Sequence, residues 1–405
     1  MFINYFARLL VLTFFIIPFR RSVKRKLIFG SVITGIYVCS AFLGMFISEQ
    51  YLPWHNFSQN HFASSLVYCV LNLPLLFYVS RVSIDSILLA LDFTNVMLKL
   101  TWIFAILGVL SVGYQFNYAL QGLYLSAANA RQEGISLLPA NFTSTIASGL
   151  SLLSLSYTIL FYLSVSKKKH VLLSFLLFLS SFNIVLNVLT VNGRDGIAIF
   201  VFGHILFYLI YREVFSKKIR HRIRSYGTIV TLALMLIFVN ITADRFYSSK
   251  SSASKAFVTG VMNYLGMQQF TFNDVFIFHK EFSYGKGNFP ILFGEGKTLT
   301  LVERGQKMAY TYNFSGYVGS FYKNGGFIYS AFVIYIFMFL FKGVLKVSRR
   351  GFGNIFIIGL LTFFMFTGLF YFRLGTLGGN RIFALILLYI LIEFLFVSVF
   401  KKYEL

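Results

Sequence analysis

Three arginines stand at the ends of long apolar runs, inside glycine-rich turns: Arg194 in TVNGRDGIAIF, and Arg373 and Arg381 in FRLGTLGGNRIF. A guanidinium offers five donors in a planar fork and stays ionised where water is scarce, which suits phosphate or diphosphate oxygens. A charge at membrane depth costs roughly 2.5–3.5 kcal/mol on insertion scales, so each such residue needs a compensating role. The competing reading is a side chain that snorkels to the interface or pairs locally, and Asp195 directly follows Arg194. Gly193, Gly196, Gly375, Gly378 and Gly379 surround these arginines. They let backbone N–H groups approach an anion, and they serve an ordinary turn equally well. Arg131, Arg245 and Arg304 are further candidates in polar connections.

The carboxylates that could act with them gather in one stretch. From Thr242 to Tyr322 the chain is polar, and it holds Asp244, Asp274, Glu281, Glu295 and Glu303, five of its 13 acidic residues. Asp274, Glu281, Glu295 or Glu303 could deprotonate an attacking hydroxyl, and each has a simpler reading as a solvated carboxylate. Tyr310, Tyr312, Tyr317 and Tyr322 near the end of the stretch could stack on sugar rings; elsewhere the aromatic residues read as lipid-facing and interfacial. The six histidines, His55, His61, His170, His204, His221 and His279, show no HxxxH or HExxH spacing, so no metal is expected. FGEGK at 293–297 lacks the spacing of a nucleotide-binding phosphate loop, and no GxSxG nucleophile turn occurs; no cofactor is expected.

The elements that position these groups follow from composition. Of 405 residues 57% are hydrophobic and 12% charged, against about 25% charged in soluble domains. Mean hydropathy is +0.74. In lipid every backbone polar group must be satisfied internally, and the apolar runs are continuous, without the period-two alternation of a barrel. The expectation is an all-α polytopic membrane protein with about 11 spans, at roughly 3–19, 28–47, 62–80, 101–118, 145–166, 171–191, 196–212, 227–243, 326–345, 352–372 and 382–400. The net charge of +23 is spread over short clusters at 20–26, 167–169, 212–224, 342–350 and 401–402. Set on the inner side by the positive-inside rule, they place 48–61, 119–144, 192–195, 244–325 and 373–381 outside. Dispersed in this way they do not form a nucleic-acid surface. Residues 1–405 thus read as one integral membrane domain, with 244–325 as a large external loop before the last three helices.

Several segments need separate treatment. The first run lacks a small-residue cleavage site and its basic cluster follows it, so it reads as a retained span. Val82–Leu100, with Asp85, Asp92, Asn95 and Lys99, reads as an interfacial helix. Phe257–Phe278 is interrupted by Asn263, Gln268, Gln269, Asn273 and Asp274 and reads as one or two short helices at the outer interface. Cys39 and Cys69 lie inside apolar runs, so no disulfide is expected.

The many spans, the long loop before the last three, the arginine of TVNGRDG, and FGEG followed by TYNFSGYVGSFYKNGGFI together resemble the bacterial O-antigen polymerases of the Wzy type. Oligosaccharide repeat-unit polymerases and O-antigen ligases share the pattern. The resemblance implies a GT-C-like, metal-independent glycosyltransferase of the bacterial inner membrane. It would act at the outer face on undecaprenyl-diphosphate-linked oligosaccharide, with membrane lipid and a chain-length regulator protein as further partners. On this resemblance Arg194, Arg373 and Arg381 would steady the diphosphate leaving group, with Arg304 as a fourth candidate. Beside Arg194 and Arg381, Glu295 and Glu303 are the expected catalytic carboxylates, and Arg373, Arg304, Arg245, Tyr312, Asn313 and Tyr317 are the expected substrate-binding residues. Two departures stand out. Tyr312 precedes Asn313 where the ligases carry a histidine, and Gly316 lies one residue beyond the Arg-x10-Gly spacing counted from Arg304. A flippase for the same lipid-linked unit and a ligase remain the alternative readings.

Overall fold

In the computed structural model the described residues are 2–52, 55–124, 137–139, 141–191, 193–246, 253–278, 282, 285–286, 288–293, 315–347, 352–370, 374, 379–389 and 391. Every regular element among them is a helix. Counting Phe62–Ala90 and Val171–Leu189 each as one run, seven helices are long and apolar enough to cross a bilayer, or eight if one pair bent by 57° is a single span. Asp195–Tyr211, Phe352–Gly368 and Gly379–Tyr389 are apolar but shorter. At 1.5 Å per residue the 17-residue members of this group reach about 25 Å, just under a hydrocarbon core of about 30 Å. The 11 expected spans therefore resolve into seven or eight full-length helices and three short ones.

The chain divides into two compact units. The first comprises 1–83, 258–343 and 364–385. Its frame is α1 (Phe2–Lys24), α2 (Ile28–Met45) and α3 (Phe62–Val79), which pack on one another. Lys26 adopts φ 56° in the turn between α1 and α2, and Leu27 N–H reaches back to Ser22 O at 3.0 Å. Phe15, Tyr37 and Tyr68 meet in the interior of the three helices.

The second unit comprises 84–257, 344–363 and 386–405. It contains α4 (Ile84–Ala90), α5 (Asn95–Tyr124), α6 (Phe142–Leu152), α7 (Ser154–Ser166), α8 (Val171–Ser181), α9 (Asn183–Leu189), α10 (Asp195–Tyr211) and α11 (Lys217–Phe246). The interfacial helix expected over 82–100 is instead divided between α4 and the first turn of α5. Thr94 Oγ1 accepts Met97 N–H at 3.1 Å, which starts α5 at Asn95.

Two breaks in this unit fall within stretches expected to be continuous spans. One lies between α6 and α7 at Leu153, where the pair bends by 57°; the other is a one-residue interruption between α8 and α9 at Phe182, within the 19-residue run Val171–Leu189. A break in hydrocarbon frees backbone groups that water cannot reach, so side chains must take them. Ser154 Oγ accepts Ile184 N–H at 2.9 Å, joining the two breaks. Asn183 Nδ2 donates to Ser180 O at 2.8 Å and to Gly108 O at 2.9 Å. Asn183 Oδ1 accepts from Ser111 Oγ at 2.6 Å and Gln115 Nε2 at 2.9 Å on α5. The polar residues thus form a hydrogen-bonded seam between α5 and the broken pair, in which, among the described residues, Gln115 Oε1 is left without a partner.

The same crossing fixes one glycine. A Cβ on Gly122 would lie 1.9 Å from Leu189 O and 2.9 Å from its carbonyl carbon, both backbone atoms that have no rotamer to change. Gly113, also on α5, has no neighbour within 4 Å of such a Cβ. Gly122→Ala is expected to cost about 1–3 kcal/mol by forcing the helices apart. Gly113→Ala is expected to be neutral or slightly stabilising through helix propensity. Thermal melts of both variants in detergent check the contrast, and equal melting temperatures would refute the close crossing.

Returning to the first unit, the polar interval of the sequence carries helices of its own. These are α12 (Ala253–Gly266, of which 258 onward belongs to this unit), α13 (Gln268–Phe278) and the single turn α14 (Pro290–Phe293). Of the one or two short helices expected over 257–278, two are present. However, α13 is not free on a surface, because most of its residues from Gln268 to Val275 are buried against α2 and α3. The polar side chains that interrupt this stretch are the ones that hold it. Ser40 Oγ donates to Gln268 Oε1 at 3.0 Å, and Ser64 Oγ donates to Asn273 Oδ1.

After the interval come α15 (Gly316–Val347), α16 (Phe352–Gly368) and α17 (Gly379–Tyr389). Gly316 has φ +71° and its N–H donates to Phe370 O at 2.9 Å. α15 breaks at Gly325 and Gly326, the latter at φ +70°, a conformation open to glycine at no steric cost.

Candidate functional site

Arg194 is held by the turn that follows α9. Gly193 N–H bonds Val188 O at 2.8 Å, closing the chain back on α9. Arg194 then caps α10, its carbonyl accepting Ile197 N–H at 3.1 Å. Its side chain is 4% exposed, with the guanidinium carbon 5.7 Å from the centroid of the Phe238 ring of α11. The positive end of a 17-residue helix and an always-ionised fork of donors therefore share one buried corner. That combination is the chemistry of anion recognition.

Arg381 sits differently. It is the third residue of α17, in the first unit, and its side chain is exposed. The preceding Asn380 fixes the helix start, donating Nδ2 to Leu374 O at 2.6 Å and to Asn288 O at 3.0 Å. Asn288 Nδ2 in turn reaches Ser320 O at 3.3 Å, and Asn324 Nδ2 reaches the same oxygen at 2.8 Å. The root of α17, the turn at 285–289 and the first turns of α15 are thereby joined. Arg194 belongs to the second unit and Arg381 to the first.

The remaining expected residues divide as follows. Arg373, Glu295, Glu303, Arg304, Tyr312 and Asn313 lie outside the described residues, as do Arg131, Glu281 and Tyr310. Arg245 belongs to the last turn of α11, where only the backbone is described. Tyr317 is 0% exposed, and its ring lies 5.0 Å from Phe364 and 5.9 Å from Phe321. In this position the ring has no face open to a ligand. Tyr322 is only half-buried and packs on Phe272 and Phe276 of α13.

A second constellation was not assembled by sequence reasoning. Arg8, near the middle of the first apolar run, is 8% exposed and donates Nη1 to Met45 O at 3.2 Å and Ile47 O at 3.0 Å. It therefore meets the C-terminal carbonyls of α2 with a cation, where the helix dipole favours one. One turn earlier, Asn4 Nδ2 donates to Phe57 O at 2.9 Å and Gln59 O at 2.8 Å, and its Oδ1 accepts His61 N–H at 3.1 Å. This pins the connection between α2 and α3.

Within that connection His55 Nε2 lies 3.2 Å from His61 Nε2, and His55 Nδ1 lies 2.9 Å from Asp274 Oδ1 of α13. The approach to Asp274 is off the line of a ring N–H hydrogen bond. Phe270 lies between these groups, 4.8 Å from the Arg8 guanidinium carbon and 5.3 Å from the His55 ring. Burial, then His55, then Arg8 push His61 down to about 3. The available signal was Arg8 itself, a charge inside an apolar run. The histidine spacing carried no motif, and Asp274 was one carboxylate among several.

Comparisons with protein-family models, with curated protein sequences and with solved structures returned no match.

Proposed function

We propose that the protein is a glycosyltransferase that polymerises undecaprenyl-diphosphate-linked oligosaccharide repeat units at the outer face of the bacterial inner membrane. The observation that carries this reading is the buried guanidinium of Arg194 at the N-terminus of α10. Read by the positive-inside rule, the basic clusters support an outer location for that end. In the reaction a sugar hydroxyl of the incoming lipid-linked unit attacks the anomeric carbon of the growing glycan. The bond from that carbon to the diphosphate oxygen breaks, and its electron pair leaves with undecaprenyl diphosphate. The hydroxyl proton passes to a carboxylate, for which Glu295 and Glu303 are the candidates. Charge builds on the departing diphosphate, and fixed cations lower the barrier because they need no reorganisation. Arg194, buried at the head of α10, is the candidate for such a cation; Arg381, Arg373 and Arg304 are the further candidates taken from the sequence.

The finer architecture belongs to the same reading: about eleven crossings, a GT-C-like arrangement and a periplasmic loop over 244–325. A chain-length regulator would be a separate partner. One observation favours a second reading, a flippase for the same lipid-linked unit: the two adjacent helix breaks joined by Ser154 and Ile184. Discontinuous helices recur in transporters, where they line substrate paths. Purified protein in nanodiscs, given lipid-diphosphate-linked repeat units and no nucleotide, separates the readings. A regular ladder of glycans is expected on a gel. Transfer to a different acceptor only would identify a ligase. Absence of any product, with movement of the lipid-linked unit across vesicles, would identify a flippase.

A further inference from the structure

We infer that the first turns of α11 bind the headgroup of a diacyl phospholipid of net negative charge, whose acyl chain lies along the exposed face of the same helix. The partner is an anionic membrane lipid, and the inference does not depend on the transferase reading.

Residues 212–224 form the largest basic cluster in the sequence, six lysines and arginines against the one carboxylate of Glu213. Three of the six are engaged within the second unit. Arg212 Nε donates to Glu213 Oε1 at 2.8 Å, and Arg224 Nε donates to Tyr208 Oη at 3.1 Å. Arg220 Nη2 donates to Phe215 O at 3.4 Å and lies 4.0 Å from Glu213 Oε2. Arg220 and Arg224, one turn apart, thus mark the face of α11 that meets α10 and the residues after it. Farther along that face Leu234 is buried and Phe238 meets Arg194.

The opposite face is open. Lys218 and Arg222, also one turn apart, are exposed. Among the described residues their side chains have no ion-pair or hydrogen-bond partner. At 3.6 residues per turn, positions 218, 222, 225, 229, 232 and 236 fall along one line of the helix. Below the two cations that line is apolar, with Ile229, Leu232 and Leu236 exposed by 64%, 61% and 73%. Tyr226 stands exposed between the two parts, at the level where amphipathic rings mark a membrane interface. Of the seven bilayer-length helices, α11 is the least covered by the rest of the chain.

Two chemistries are therefore stacked on one line. A phosphodiester suits the paired cations, and an acyl chain suits the apolar positions beneath them. From Arg222 to Leu236 the line runs about 21 Å at 1.5 Å per residue, enough to cover one leaflet of a hydrocarbon core about 30 Å thick. A soluble anion would use the cations alone. A zwitterionic lipid would bring its own ammonium against them. An anionic phospholipid satisfies both parts at once.

The test uses the full chain in phosphatidylcholine bilayers, with Trp54→Phe and Trp102→Phe removing both native indoles and Ile229→Trp as reporter. Quenching of that indole by brominated phosphatidylglycerol is compared with quenching by brominated phosphatidylcholine. The anionic lipid is expected to bind there about tenfold more tightly, in keeping with two cations near a membrane surface. Lys218→Gln combined with Arg222→Gln is expected to reduce the preference to about threefold or less. Lys24→Gln combined with Arg25→Gln removes the same charge from the first unit and is expected to leave the preference unchanged. Equal affinity for the two lipids, or an equal fall in both double variants, would overturn the inference. Quenching by neither lipid would also overturn it, because a protein surface would then cover this face. If Ile229→Trp is unstable, Leu232→Trp on the same line carries the measurement.

Discussion

Arg194→Ala is expected to slow glycan elongation by about a hundredfold to a thousandfold, the loss typical when one preorganised donor to a developing oxyanion is removed. Arg194→Lys should recover only part of this, because an ammonium keeps the charge and lacks the bidentate fork. The residue is buried at the head of α10 against Phe238, so its loss also touches packing. Melting temperature and lipid-diphosphate binding must therefore be measured beside the rate. A structural role alone would lower the melting temperature and spare the rate of the folded fraction. The catalytic role predicts the reverse weighting, and a fully active Arg194→Ala would remove Arg194 from the proposed site. Arg381 is exposed in the chain, so Arg381→Ala reads out function with little loss of packing.

The second large effect concerns the polar seam of the same unit. Asn183→Leu removes four hydrogen bonds at once: those to Gly108 O and Ser180 O, and those from Ser111 and Gln115. Side-chain hydrogen bonds inside membrane proteins average about 0.6 kcal/mol, so the four together are expected to contribute about 2–2.5 kcal/mol. Asn187→Leu removes a single bond, 3.1 Å to Ser148 Oγ, and serves as the scale. The prediction is a ratio near four in unfolding free energy from denaturing-detergent titrations. Comparable losses for the two variants would mean that the Asn183 network adds nothing beyond one ordinary pair.

The apolar runs were legible because hydrocarbon admits so few solutions for the backbone. Spans expected at 28–47 and 171–191 appear as Ile28–Met45 and Val171–Leu189. What the runs concealed were their interruptions. Ser154 and Asn183 are compatible with a continuous helix in sequence, and only the spatial pairing of their side chains with Ile184 N–H and with α5 makes a break affordable. The polar character of 257–278 was read correctly and its placement was not. Gln268, Asn273 and Asp274 were taken as reasons to face water, whereas Ser40, Ser64 and His55 meet them in the interior. Partners more than 200 residues away in the chain leave no local signature. For the candidate site the outcome is similar. Arg194 was visible as a charge beside an apolar run, and its burial at a helix head came from the turn geometry at Gly193. Arg8 was equally visible and was passed over, because a charge inside the first run was counted as part of the span.

The polar seam on α5 also has a temporal side. Gln115 finds its partner Asn183 only 68 residues later in the chain. At synthesis rates of about 5–20 residues per second, that interval is between about 3 and about 14 s. Through it the Gln115 amide has the acceptors of its own helix, Ser111 Oγ at 3.0 Å and Ser111 O at 3.3 Å. A donor left in hydrocarbon without an acceptor is penalised, and Ser111, one turn back, meets that need from the moment α5 forms. The bond to Asn183 is added when α9 has been made, so the seam closes in the order of the chain.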